Sequence, residues 1–265
     1  MIAVSYLDIE WMVFSIPKYG NFNYENEDAV WPSSDYKRRK NRRCFRCAVS
    51  DGATQSSFSN YWANLLVQRA QQSSQRRLKT EICKAQKSWK EYIALRDLPW
   101  HAEIKVRKGA HATLLWLQID KFKKKTGGKW KALAIGDTCL FQISDNNLIC
   151  SFPITDSNDF DNTPKLINSI TSNYKNIWDE YVVKEKGAWE NNDQFFLLTD
   201  ALAYWFLNEY RIGNNPSEEI HTRVIQFNNS EELYSAWIND LRNEGRLHND
   251  DTSLVWLKLI GDAIG

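Results

Sequence analysis

Several familiar signals are missing from this 265-residue chain. Its longest apolar stretches fall well short of a membrane-spanning helix, and its first residues carry no basic segment leading to a small-residue cleavage site. No membrane association and a cytoplasmic location are therefore expected. Formal net charge is +1, which provides no bulk attraction to nucleic acid or anionic lipid. Cysteine is sparse and odd in number, at Cys44, Cys47, Cys83, Cys139 and Cys150. Cys44 and Cys47 form one C-x-x-C pair with no second pair at finger-like spacing. That pair lies inside an apolar run that reads as a strand, so structural cysteines are expected over a zinc or redox site. The chain has no GxGxxG, P-loop, HExxH or GxSxG motif, and its four histidines show no ligand spacing. It also lacks internal repeats, low-complexity tracts and an evident linker, so a single domain over residues 1–265 is expected.

What is present is material for a core: 43% hydrophobic residues, with 12 tryptophans among them. Ile9 to Ile16 alternates as a strand, with Ile9, Trp11 and Val13 on one face and Met12 and Phe14 on the other. A helix is predicted from Ser56 or Ser57, with Phe58, Trp62, Leu65, Leu66 and Arg69 inward, and a second from Glu81 to Arg96. Strands follow over Ala112 to Ile119, Trp130 to Ile135 and Cys139 to Ile143, joined by short turns that make the sheet at least partly antiparallel. A helix is predicted from Thr163-Pro164 to about Tyr181, and a loop over residues 184–193. Helices are then expected over Ala201 to Tyr210, after Asn215-Pro216 and from Ser230 to Arg242, before a last strand at Ser253 to Leu259.

Carboxylates punctuate this pattern. The run CFRCAVS ends at Asp51-Gly52, where glycine lets the backbone turn without a side chain in the way. WKALAIG ends at Asp137, QFFLLT ends at Asp200, and Asp250 precedes the final strand. The aspartates are either ordinary strand-end residues or a set gathered around a metal. Mg²⁺ and Mn²⁺ favour oxygen ligands, and two such ions can orient a phosphoryl group for in-line attack. Glu27-Asp28 is either an exposed acidic pair or a pair of which one member reaches an ion. Lys37 to Arg46 (KRRKNRRCFR) reads first as a solvated hairpin loop; nucleic-acid contact is the lesser reading, since no aromatic platform accompanies it. Ser151 to Asp161 reads as an acidic surface loop.

Taken in order, Glu27-Asp28-Ala29, Val49-Ser50-Asp51-Gly52, Gly136-Asp137-Thr138, Leu198-Thr199-Asp200 and Asp250-Asp251-Thr252-Ser253 resemble the type 2C, metal-dependent Ser/Thr phosphatase family. The resemblance runs from about Gly20 to Leu259 and is closer to a divergent prokaryotic branch than to the eukaryotic enzymes. It implies an α+β, four-layer sandwich, with two central antiparallel sheets flanked by helices and a two-ion Mg²⁺ or Mn²⁺ centre at one edge. Asp51 would bridge the ions, Gly52 would offer its carbonyl, and Asp200 and Asp250 would bind one ion. Glu27 would act through water with Asp28 supporting it, and Asp137 matches an additional, weaker metal position. The implied reaction is attack of metal-bound hydroxide on phosphoserine or phosphothreonine of a phosphoprotein, opposite a bacterial Ser/Thr kinase. Departures from the family pattern are specific. Asn23 stands where an arginine usually holds the phosphate, leaving Lys18 as a possible substitute, while Ala53-Thr54 and Ala201 replace the usual residues after their aspartates. They keep open a second reading, a catalytically weak relative that binds a phosphorylated or regulatory partner.

Overall fold

The computed structural model describes residues 8–32, 44–121, 127–161, 163–170, 174–228 and 230–260. In chain order the strands are β1 (Asp8–Ile16), β2 (Ala29–Trp31), β3 (Cys44–Ser50), β4 (His111–Ala112), β5 (Leu114–Lys121) and β6 (Gly128–Ile135). They continue as β7 (Cys139–Ser144), β8 (Asn147–Phe152), β9 (Ile167–Asn168), β10 (Val183–Trp189), β11 (Gln194–Leu198) and β12 (Thr252–Ile260). The helices are α1 (Ser59–Gln72), α2 (Leu78–Ala94), α3 (Trp100–Val106), α4 (Tyr174–Tyr181), α5 (Asp200–Arg211), α6 (Pro216–Phe227) and α7 (Glu231–Asn243).

Two five-stranded antiparallel sheets form the centre, one ordered β1-β12-β11-β7-β8 and the other β10-β6-β5-β3-β2. Alternation along each strand explains how they stack. In β12, Val255, Leu257 and Leu259 join Val49, Leu117 and Trp130 between the sheets. The intervening Leu254 and Trp256 face outward, into a core shared with Trp205, Phe206, Tyr234 and Trp237 of α5 and α7. On the other side, Trp116 and Leu133 meet Trp62, Leu66 and Trp89 of α1 and α2. The result is the four-layer α+β sandwich expected from the resemblance. Because most strands are buried on both faces, they read in sequence as nearly unbroken apolar runs.

Three expectations need correction. Residues 164–166 are not helical, Ile167–Asn168 is a short strand, and the described helix of this segment is Tyr174–Tyr181. Pairing of Ala112 with Ile167 and His111 with Asn168 overrides the local helical pattern there. Residues 184–189, expected as loop, belong to edge strand β10. Its exposed Lys184, Glu185 and Lys186 hide the strand signal, although charged side chains are a common way to guard a sheet edge. Helix α1 starts at Ser59, after Phe58 turns the chain with a left-handed φ of 61°. Residues 37–43 of the basic run lie outside the described residues. None of the five cysteines is in a disulfide, and no described helix is long and apolar enough to cross a membrane.

Candidate active site

Antiparallel pairing brings the carboxylates together. Ser50 at the end of β3 faces Ala29 at the start of β2, while Leu198 at the end of β11 faces Cys139 and Leu254. The ends of β3, β6 and β11 and the starts of β2, β7 and β12 thus share one edge of the sandwich. Glu27, Asp28, Asp51, Asp137, Asp250 and Asp251 sit on the loops at that edge, and Asp200 opens α5 there.

Each loop is held by specific bonds. Thr113 donates its backbone N–H to the Asp51 carbonyl at 2.8 Å, and its Oγ1 accepts from the Asp51 N–H at 2.9 Å. The same hydroxyl lies 2.7 Å from Thr138 Oγ1, which ties the Asp51 loop to the turn carrying Asp137. Asp251 acts as a clamp, its Oδ1 accepting from the Lys18 N–H at 2.8 Å and its Oδ2 from the Glu27 N–H at 2.7 Å. Thr199 Oγ1 donates to Asp28 Oδ2 at 3.0 Å and accepts from the Ser253 N–H at 2.9 Å. Ser59 donates its hydroxyl to Glu27. Arg242 Nη2 donates to the Asp250 carbonyl at 2.5 Å, fixing the loop before β12. Gly52 has no room for a side chain, because a Cβ there would lie 2.7 Å from the Glu27 carbonyl oxygen and 3.0 Å from Ser59.

Crowding perturbs the acids. Burial, then Asp28, Asp200, Asp137 and Asp250, holds Asp51 well above the ordinary carboxylate range. Asp28 is raised as well, by burial and then by Asp251 and Asp200, against the hydrogen bonds from Ser253 and Thr199. Asp200 is pushed up to about 7, chiefly by burial and then by Asp137 and Asp250. Burial takes Asp137 to about 6. So many mutually raised carboxylates in one place form a site that cations would relax.

Asp51, Asp137, Asp200 and Asp250 line one cleft of about 630 Å³, together with Gly52, Ala53, Thr54, Lys105, Lys108, His111 and Thr163. A neighbouring depression of about 400 Å³ adds Asp161, Tyr204 and His248 beside Asp137, Asp200 and Asp250. Glu27 and Asp28 stand behind this lining. Asn23 and Lys18 both border a separate hollow with Tyr19, Glu232 and Arg242, and neither lines the cleft. Lys18 does reach toward it, its Nζ 3.4 Å from Thr54 Oγ1 and 3.9 Å from Glu27 Oε2. Ala201 lies inside the first turn of α5, a conformation that accepts its Cβ. As the side chains stand, no group of three or more described His, Cys, Asp or Glu residues is arranged to hold one ion. The donor set nevertheless suits a hard divalent cation: every donor is a carboxylate or carbonyl oxygen, and Asp28 Oδ1 is buried without a hydrogen-bond partner.

Sequence reasoning passed over Thr113, Arg242, Lys105 and Lys108, whose roles rest on contacts far away in the chain, whereas Thr138 stood within the Gly136-Asp137-Thr138 motif. Asp251 had an available signal, its place directly after Asp250 in the motif.

The two-sheet sandwich recurs among solved structures. The catalytic domain of the serine threonine protein phosphatase PstP, in complex with two manganese ions, superimposes with a TM-score of 0.58 at 12% identity, covering 96% of this chain and 99% of that one. The photosystem II phosphatase PBCP gives 0.56 at 12% identity, covering 95% and 98%. RsbX, in complex with magnesium, gives 0.51 at 15%, covering 96% and 99%. At such identities the likeness establishes the fold. No curated protein sequence matches significantly. The family model described as Protein phosphatase 2C matches residues 23–242, and the chain belongs to that family as a divergent member.

Proposed function

We propose that this protein hydrolyses phosphoserine and phosphothreonine in proteins at a centre of two Mn²⁺ or Mg²⁺ ions. The observation that carries this reading is the convergence of Asp51, Asp137, Asp200 and Asp250 on one cleft, with the unpartnered Asp28 Oδ1 buried behind it. Bound ions supply Lewis acidity toward the phosphoryl oxygens and bring the pKa of water into the neutral range. Asp51 and the Gly52 carbonyl would help hold the ions, and Asp200 and Asp250 would bind one of them. Glu27 would act through water, Asp28 would support it, and Asp137 would serve an additional, weaker position.

The polypeptide orients these groups before substrate arrives. Thr113 fixes Asp51, Arg242 fixes Asp250, and Thr199 turns Asp28 so that one oxygen is satisfied and the other is left for a new partner. Lys18, at the rim beside Thr54, takes over the phosphate contact that arginine makes in the family pattern. Its ammonium is a single point charge and cannot grip two phosphoryl oxygens in parallel as a guanidinium does. Substrates on this reading are phosphoproteins made by a bacterial Ser/Thr kinase, in a cytoplasmic setting.

A second reading has its own observation. No arginine is among the described residues lining the cleft, which favours a slow catalyst that retains phosphorylated partners. Phosphopeptide hydrolysis with and without Mn²⁺, in wild type and Asp51→Asn, separates the two. Metal-dependent phosphate release that falls more than about 100-fold in the variant is expected, since loss of an outer partner alone can reach that factor. Equal rates in both proteins would overturn the proposed centre. No release from either, with phosphopeptide still bound, would establish the second reading.

A further inference from the structure

The wall of the cleft facing α3 differs in character from its acidic floor. Lys105 and Lys108 line it, and neither ammonium is paired with a described carboxylate. Their neighbour Arg107 is engaged by Glu103 at 3.7 Å, so α3 and the turn after it pair one cation and leave two at the cleft. A pair of lysines on an open surface would be unremarkable. These two sit beside a corner that is fastened to the floor.

The corner is tied from several sides. Gly109 turns it with a φ of +81°, and a Cβ there would lie 2.7 Å from Asn168 Oδ1. Asn168 Nδ2 donates to the Lys108 carbonyl at 2.9 Å, and Ala110 N–H donates to the buried hydroxyl of Ser169 at 2.9 Å. The backbone then runs directly to the acidic loop: the His111 carbonyl accepts from Ala53 N–H at 2.9 Å, and His111 N–H donates to Ser56 Oγ at 3.2 Å. The Lys108 backbone and the Asp51-Gly52-Ala53 turn therefore belong to one hydrogen-bonded unit. The Lys108 backbone is thus held at a set place relative to the carboxylate floor, and the Lys105 and Lys108 side chains line the same cleft of about 630 Å³ as Asp51, Asp137, Asp200 and Asp250.

We infer that Lys105 and Lys108 form a substrate-selecting subsite that binds acidic side chains flanking the phosphorylated residue, so that the preferred substrates are acidic phosphopeptides. This rests on the proposed phosphatase reading for the position of the phosphoryl group at the floor. The lysines then meet carboxylates, or a second phosphoryl group, a few residues along the peptide. Opposite charge across the cleft also sets direction, because a basic flank would be repelled at the lysine wall and drawn to the floor.

The test compares three phosphopeptides of one length whose flanks are acidic, neutral or basic, with wild type, K105S/K108S and K105E/K108E. Both kcat/KM with Mn²⁺ and binding by fluorescence anisotropy are measured. Wild type is expected to favour the acidic over the neutral peptide about tenfold, a factor of about three from each exposed pair. The serine variant should bring that ratio close to one, and the glutamate variant should shift preference to the basic peptide. A ratio unaltered by either variant overturns the proposal. So does an equal loss on all three peptides, which would mean that the lysines hold the reacting phosphate instead. If no peptide is hydrolysed the phosphatase reading fails, and the anisotropy ratios still decide the lysine subsite.

Discussion

Replacing Asp200 by asparagine should make the metal-free protein more stable while depriving it of activity. Asp200 titrates at about 7 in the folded protein against an ordinary 3.8, because it is buried and faces Asp137 and Asp250, with the Ala201 N–H only partly offsetting them. A carboxyl group with a raised folded pKa binds its proton more tightly in the folded than in the unfolded chain. Protonation therefore favours the fold, and this contribution is lost as pH rises from about 3.8 through about 7. At about 1.4 kcal/mol per pH unit the full displacement amounts to about 4 kcal/mol against the ionised form. Water in the open cleft screens the neighbouring charges, so about 2 kcal/mol is the expected gain for the amide. For a chain of this size that corresponds to a rise in Tm of about 6 °C. Thermal unfolding in EDTA should show this rise at about pH 7.5 and a smaller one at about pH 5, where wild type already carries the proton. Added Mn²⁺ should raise the wild-type Tm more than the variant's. An Asp200→Asn protein that melts at or below wild type in EDTA at neutral pH would refute the argument that these carboxylates repel one another.

Two further substitutions probe the frame around the acids. Gly52→Ala places a Cβ against the Glu27 carbonyl and Ser59, so a loss of about 1–3 kcal/mol in denaturant unfolding is expected, and a change below about 0.5 kcal/mol would show that the turn can relax. Thr199→Val keeps the shape but takes the bond from Asp28 and the acceptor from the Ser253 N–H; a loss of about 2 kcal/mol and Mn²⁺ binding weaker by about 10–100-fold are expected by calorimetry, and unaltered affinity would remove Thr199 from the site's support.

Much of the architecture was legible because burial on both faces writes strands as apolar runs, and because helix caps are local. Asn215 accepts from the Glu218 N–H and Ser230 from the Leu233 N–H, as their positions before apolar periodic segments predict. Ile9 and Val13 enter the core between the sheets while Phe14 and Ile16 enter the helical side, as strict alternation requires. The misread segments are those whose conformation depends on a distant partner. Ile167–Asn168 is a strand because β4 lies beside it, and β10 is a strand because β6 supplies its ladder. Neither partnership leaves a periodic trace in its own residues.

The candidate site divides along the same line. Asp51, Asp137, Asp200 and Asp250 were marked in the sequence by their places at the ends of apolar runs, since a strand's end is defined by its own residues. Their convergence, with Glu27 and Asp28 behind them, follows from antiparallel register within each sheet, β2 with β3 and β11 with β7 and β12, and from the stacking of the two sheets. Asn23 and Lys18 could not be ranked by spacing; in the folded chain both border one hollow outside the cleft, and the Lys18 ammonium reaches Thr54 at the cleft's rim. The lysine wall was silent in sequence altogether. Lys105 on α3 and Lys108 just after it are ordinary exposed residues until Asn168, Ser169 and Ser56 bind the following corner to the Asp51 loop. Short-range periodicity and capping determined which segments form and where their carboxylates stand. Long-range pairing alone decided which of those groups share a cleft, because hydrogen bonds between distant residues depend on register and not on spacing along the chain.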